Sequence, residues 1–176
     1  MRIISGELKG RTFDSPANIH THPMSEKMRG ALFNILGDIT DLIVFDAYGG
    51  SGALAFEAIS RGARSALVCE SNKSVARTIL ANIKELAIAE RVRLVIANSA
   101  SWSQNNISAK FDLVICDPPY NDIKIEQLSL IAHTVKDKGL FILSLPPIYP
   151  RPQYTGLQLE KDTVYGDGSL VFYRKI

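Results

Sequence analysis

The chain has 176 residues, 46% of them hydrophobic and 22% charged, with a formal net charge of +2. That length suits one domain with a sizeable core, and the charge excludes a bulk polycation. No apolar run is long enough to span a bilayer, and the opening MRIISGELKGR lacks a signal-peptide core, so a soluble, cytoplasmic protein without membrane contact is expected.

The opening stretch MRIISGELKGRTFDSP alternates and carries Gly6 and Gly10, which predicts a small hairpin or two short strands. Arg2, Lys9, Arg11, Lys27 and Arg29 crowd the first thirty residues, against Glu7, Asp14 and Glu26. Such an excess serves first as a solvated face and second as a phosphate contact. His20 and His22 flank a threonine before Pro23, the pattern of a loop. Neither they nor His133 stand at metal-ligand spacing, so no metal is expected. Ser25 then caps a helix running to Ile35 or Leu36, with Met28, Ala31, Leu32, Ile35 and Leu36 spaced for one face.

From Leu42 a rhythm sets in. LIVFDA, SALVCE, VRLVIA, FDLVICD and GLFILSL read as strands. Between them, GSGALAFEAISRG, KSVARTILANIKELAI, a short turn or helix over residues 99–106, and IEQLSLIAHTVK read as helices. Near-continuous apolar strands alternating with amphipathic helices predict an α/β fold with a mostly parallel sheet covered on both faces. LQLEKDTVYG and SLVFYRK, joined at Gly166-Asp167-Gly168, predict an antiparallel hairpin at the end. Cys69 and Cys116 each precede an acid at a strand end and read as core packing, not as a disulfide.

Two loops carry chemistry. The first reads Asp46-Ala-Tyr48-Gly49-Gly50-Ser51-Gly52, between a strand and a helix N-terminus, where glycines admit a ligand close to the backbone. Glu70 closes the next strand, at the position of an acid that bonds ribose hydroxyls. Gly50, Gly52 and Ala55 also fit a dinucleotide fingerprint, so a nicotinamide oxidoreductase is one reading. Asp46 tilts the choice. Its carboxylate would repel a pyrophosphate but suits a ligand bearing an ammonium and a sulfonium, such as S-adenosylmethionine. The second loop is Asp117-Pro118-Pro119-Tyr120, at the end of a buried strand. An exocyclic amine on a base is a poor nucleophile and needs acceptors for its N–H groups. Asp117 and the Pro118 carbonyl can supply them, the prolines stiffen the loop, and Tyr120 offers a ring for stacking.

These motifs resemble those of class I S-adenosylmethionine-dependent amino-methyltransferases. The opening R2-I-I-S-G-E-L-K-G-R11, the segment R29-G-A-L-F-N-I-L36, SGALAFEAISRGA and the closing Y165-G-D167 extend the resemblance to the bacterial family that methylates guanine N2 in 16S ribosomal RNA. It covers nearly the whole chain. It implies a Rossmann-like seven-stranded sheet of order 3-2-1-4-5-7-6 with helices on both faces, in one domain. Residues 1–24 would form an N-terminal hairpin facing RNA, and residues 25–176 the catalytic core. The resemblance also implies S-adenosylmethionine held by Asp46, Tyr48, Gly50, Ser51, Gly52, Glu70, Ser71, Asn98, Ser99 and Asp117. The target base would meet Asp117, Pro118, Pro119 and Tyr120. Arg2, Lys9, Arg11 and Arg29 are candidates for the RNA backbone.

The expected partner is 16S ribosomal RNA, free or within an assembled small subunit, with no DNA partner and a monomeric enzyme. The chain departs from the family pattern at Tyr48-Gly49, where Phe-Ala is usual, which predicts a looser glycine loop. It departs again at Asn98-Ser99, at the short loop after Tyr120, in the proline-rich SLPPIYPRPQ, and at His22-Pro23. Adenine N6 is an alternative target for the same loop, and a catalytically silent RNA-binding module is a further alternative.

Overall fold

The computed structural model describes residues 1–16 and 24–176. His20, His22 and Pro23 lie outside the described residues. Seven strands form one sheet: β1 Ile43–Asp46, β2 Ser65–Glu70, β3 Val92–Ile96, β4 Phe111–Cys116, β5 Val135–Leu145, β6 Leu157–Tyr165 and β7 Gly168–Lys175. Five helices connect them: α1 Glu26–Leu36, α2 Ala53–Ser60, α3 Lys73–Glu85, α4 Ser99–Asn105 and α5 Ile125–Ala132. The strand order is β3-β2-β1-β4-β5-β7-β6. β1 to β5 pair in parallel, and β7 runs antiparallel to both β5 and β6.

Alternation along the strands explains the layers. Val44, Leu113, Ile115, Ile142, Leu170 and Phe172 pack against α1, α2 and α3. Their neighbours Phe45, Val114, Cys116, Phe141, Leu143, Val171 and Tyr173 pack on the opposite face, with α4 and α5. A strand buried on both faces must be apolar throughout, which is why these strands read as continuous runs. Cys69 and Cys116 are buried free thiols within that packing.

The N-terminal stretch makes one isolated bridge, Arg2 to Thr12, and is tied down along its length. The Ile4 and Ser5 amides donate to the two oxygens of Glu57 on α2, at 2.8 and 3.1 Å. The Glu7 amide donates to the Ser60 carbonyl at 2.8 Å, and the Leu8 amide to Ser60 Oγ at 2.9 Å. Gly6 is required there, because a Cβ would stand 1.8 Å from the Ser60 carbonyl oxygen. Ile3 and Phe13 belong to the same apolar cluster as α1 and α2, so this stretch is one side of the core.

One boundary departs from the sequence reading. The helix expected over residues 125–136 stops at Ala132, and β5 begins already at Val135. Val135 pairs with Phe111, and the register resumes as Leu113 with Leu140. Lys138, at φ 63°, takes up the slack in a left-handed conformation.

Candidate active site

The strand order reverses between β1 and β4. β2 and β3 lie to one side of β1, β4 and β5 to the other, and connecting loops leave the shared carboxyl ends in opposite directions. Such a reversal opens a crevice. Here it is a cleft of about 780 Å³ lined by Tyr48, Gly50, Ser51, Glu70, Ser71, Asn98 and Ser99 on one side. Asp117, Pro118, Pro119 and Tyr120 line the other. Asp46 pairs in register with Ile115, which sets Asp117 just beyond it on the neighbouring strand.

The glycine loop is built tightly. Gly50 and Gly52 have φ of +51° and +80°, where a side chain would strain the backbone. The Gly52 amide closes on the Gly49 carbonyl at 2.7 Å, and the Gly49 amide on the Cys69 carbonyl at 2.8 Å. A Cβ on Gly49 would stand 2.6 Å from Val68 Cγ1. The expectation that Gly49 loosens the loop is therefore corrected: it lets the loop sit flat on β2. Glu70 braces the same turn, its Oε2 accepting from the Gly50 amide at 2.9 Å and its Oε1 from the Asn72 amide at 2.7 Å. Each oxygen retains a lone pair for a ligand hydroxyl. Asn98 caps α4 by accepting from the Ser101 amide at 3.1 Å, which fixes that edge of the cleft.

Asp46 is wholly buried, and neither oxygen makes a hydrogen bond of ordinary geometry, although the Tyr48 and Ala55 amides face it. Burial, then the Asp117 and Glu70 carboxylates, hold its pKa well above the usual range. An orphaned buried carboxylate costs stability unless a ligand answers it. Three carboxylates converge here, so the site is built for a cation. A dinucleotide's pyrophosphate would be repelled.

Asp117 is half-buried, and burial raises its pKa to about 6. The Ser144 hydroxyl and the Met24 amide oppose that rise. Among the described residues no backbone amide donates to the Pro118 carbonyl, whereas the Pro119 carbonyl accepts from Asp122 at 2.9 Å. Tyr120 is 39% exposed, with its hydroxyl 2.7 Å from Ser144 Oγ. Asp167, at the β6–β7 turn, lines this lobe, and its charge reaches the Tyr120 hydroxyl. Ser144, a polar residue in an apolar strand, and Asp167, part of the closing Tyr-Gly-Asp, carry no local sequence signal of a role at this site.

The basic residues do not act as one group. Arg29 is 1% exposed, donates to the Arg2 carbonyl at 2.7 Å and lies 3.8 Å from Glu57. It is a buried partner of Glu57, and its assignment to the RNA backbone is corrected. Arg11 spends its guanidinium on the Glu85 and Leu86 carbonyls at the end of α3, at 2.6 and 2.9 Å. That end faces away from the cleft, so Arg11 does not edge the site. Lys9 is exposed on the turn docked against Ser60, also at the far end. Arg2 pairs with Glu26 at 3.0 Å, in the first turn of α1. α1 and the two residues before it border the cleft through Met24, Ser25, Met28 and the buried Arg29. Among the described residues no group of three His, Cys, Asp or Glu is placed to hold a metal.

Sheet order, glycine turn and the Asp117–Tyr120 loop together define a Rossmann-like methyltransferase fold. The family described as "Conserved hypothetical protein 95" matches residues 1–174. The chain belongs to that family, and several of the relatives it matches are named ribosomal RNA methyltransferases. It is 26% identical to "Putative rRNA methyltransferase YlbH" of Bacillus subtilis over 99% of both chains. It is 35% identical to "Ribosomal RNA small subunit methyltransferase D" of Buchnera aphidicola, over 68% of this chain and 62% of that one. The solved structure titled "Putative methyltransferase yhhF from Escherichia coli" superposes with a TM-score of 0.85 at 26% identity, covering 99% of this chain and 97% of that one.

Proposed function

We propose that this protein transfers a methyl group from S-adenosylmethionine to the exocyclic N2 amine of a guanine in small-subunit ribosomal RNA. The observation that carries the proposal is the single cleft shared by the glycine turn and the Asp117–Tyr120 loop. The names of the relatives support an RNA substrate.

S-adenosylmethionine supplies, when bound, a methyl carbon made electrophilic by its sulfonium. Asp46 offers its unanswered carboxylate to the cationic methionine end, and the Gly50–Gly52 turn admits that end close to the backbone. Glu70 offers acceptors for the ribose hydroxyls. Asp117 and the Pro118 carbonyl accept the two N–H groups of the target amine and turn its lone pair toward the donor lip. Tyr120 stacks on the base, an interaction worth about 1–3 kcal/mol. Proximity and alignment supply most of the acceleration. The amine turns acidic as its new N–C bond forms, and Asp117, ionised at neutral pH, can take its proton.

Guanine is favoured over adenine by Asp167. A guanine edge presents two neighbouring donor groups, N1–H and N2–H, whereas adenine presents an acceptor at N1 beside its amine. Two carboxylates in the Tyr120 lobe, Asp117 and Asp167, match the guanine edge and repel adenine N1. With Arg11 and Lys9 turned away, few cations edge the cleft. A folded RNA or RNA–protein surface therefore supplies much of the specificity.

The test is nucleoside mass spectrometry after incubating the protein and methyl-labelled cofactor with small-subunit RNA from cells lacking the gene, naked and assembled. N2-methylguanosine is the expected product. N6-methyladenosine, or no labelled nucleoside, would overturn the proposal.

A further inference from the structure

The lobe around Tyr120 is acidic. Asp117, Asp122 and Asp167 line it, whereas the whole cleft is lined, among the described residues, by two cations, Arg29 and Lys124. Arg29 is buried against Glu57 and the Arg2 carbonyl. Lys124 is the one that reaches solvent, with its side chain 51% exposed. Its place follows from the turn after Tyr120. The Asp122 amide donates to the Pro119 carbonyl at 2.9 Å, which folds residues 119–122 back on themselves. Two residues later the Lys124 carbonyl accepts from the Leu128 amide at 3.1 Å, so α5 anchors the Lys124 backbone. Lys124 Nζ lies 3.1 Å from Asp122 Oδ2. Both side chains are more than half exposed, and a pair of that kind contributes little and yields to salt or to a better anion.

We propose that Lys124 holds a backbone phosphate of the target nucleotide, exchanging Asp122 for the phosphate when RNA binds. This rests on the reading of Asp117–Tyr120 as the base site. A base and its phosphates hang on one ribose, so a base stacked on Tyr120 brings a phosphate to the same rim. The three carboxylates there repel it, and Lys124 is the exposed charge that answers it. A phosphate contact positions a nucleotide without reading its sequence. Lys124 thus fixes the backbone while the carboxylates face the base. Until RNA arrives, Asp122 holds the ammonium in the lobe.

The test measures binding of small-subunit RNA from cells lacking the gene, naked and assembled, over a series of salt concentrations. It compares wild type, Lys124→Ala, Lys124→Arg and Asp122→Asn, with S-adenosylhomocysteine affinity, KM and kcat read on the same preparations. Lys124→Ala should weaken RNA binding about three- to tenfold and flatten the plot of log affinity against log salt by about one unit. The loss should fall on KM for RNA, with kcat within about threefold of wild type. Lys124→Arg should keep both affinity and slope. Asp122→Asn, which frees the ammonium, should tighten RNA binding about twofold or more without flattening the slope. An unchanged slope in Lys124→Ala, or a loss confined to kcat, would overturn the contact. So would a loss of S-adenosylhomocysteine affinity, which would move Lys124 to the methionine carboxylate. A wild type that binds RNA and methylates no guanine would sink the proposed function and leave the contact standing, and one that binds no RNA would end both.

Discussion

In the proposed function Asp46 and Asp117 carry the chemistry, and both oppose the stability of the unliganded fold. Their folded pKa values lie above the ordinary carboxylate value, so the stability each contributes is full below that value and lost as pH rises through the folded pKa. For Asp117, moved from 3.8 to about 6, the loss by neutral pH is about 3 kcal/mol. Activity runs the other way. The acceptor must be ionised, so kcat/KM should fall below about pH 6, approaching tenfold per pH unit, and a pH–rate profile measures it. A flat profile from pH 5 to 8 would contradict that role. Asp46 makes a sharper prediction. Burial raises its pKa while the site is empty, and a cationic ligand favours its charged form. Binding of S-adenosylmethionine should therefore release protons, read by titration calorimetry in buffers of differing ionisation enthalpy. Asp46→Asn should abolish the release, weaken binding at least about tenfold and leave the apo protein no less stable. These residues were legible because each breaks a local pattern: an acid closing an apolar strand, glycines before a helix, prolines before an aromatic. Ser144 was not, since one small polar residue in a buried strand has no local signature until its neighbours across the sheet are known.

Among the elements, α2 holds the glycine loop at its start and the N-terminal stretch along its later turns. Glu57, the one acid in this apolar helix, accepts from the Ile4 and Ser5 amides and from Arg61 Nε at 2.8 Å, with Arg29 beside it. Burying that group is tolerable only because it is answered on every side. Glu57→Ala would leave Arg29 buried without a counter-charge. It should cost about 3–5 kcal/mol, measured by denaturant unfolding, with faster amide exchange over residues 3–8. A loss under about 1 kcal/mol would show that packing of Ile3 and Phe13 holds the stretch unaided. The basic residues show where local reading stops. The family resemblance offered Arg2, Lys9, Arg11 and Arg29 together as RNA-backbone candidates, yet contacts with α1, α2 and α3 send them to different places. A charge count reports what a segment carries and not which way it faces. The helix end near residue 132 was misjudged for a related reason: apolar spacing continued, but pairing of Val135 with Phe111 across the sheet prevailed.

At the scale of the molecule, alternating helices and apolar strands foretold a parallel sheet, and the closing hairpin foretold its antiparallel edge. Strand order is another matter. Which strand neighbours which depends on contacts far apart in sequence, and only the family resemblance supplied it. That order brings Asp46 and Asp117 onto adjacent strands and so makes one cleft from motifs some seventy residues apart. The account stands on a division of labour across that cleft, the donor on the Gly50 lip and the base on the Asp117 lip. Asp117→Ala tests it most directly, with S-adenosylhomocysteine affinity and single-turnover methyl transfer measured on the same preparation. Affinity should stay within about threefold while transfer falls at least about a hundredfold. Lost affinity with undiminished transfer at saturating cofactor would contradict it.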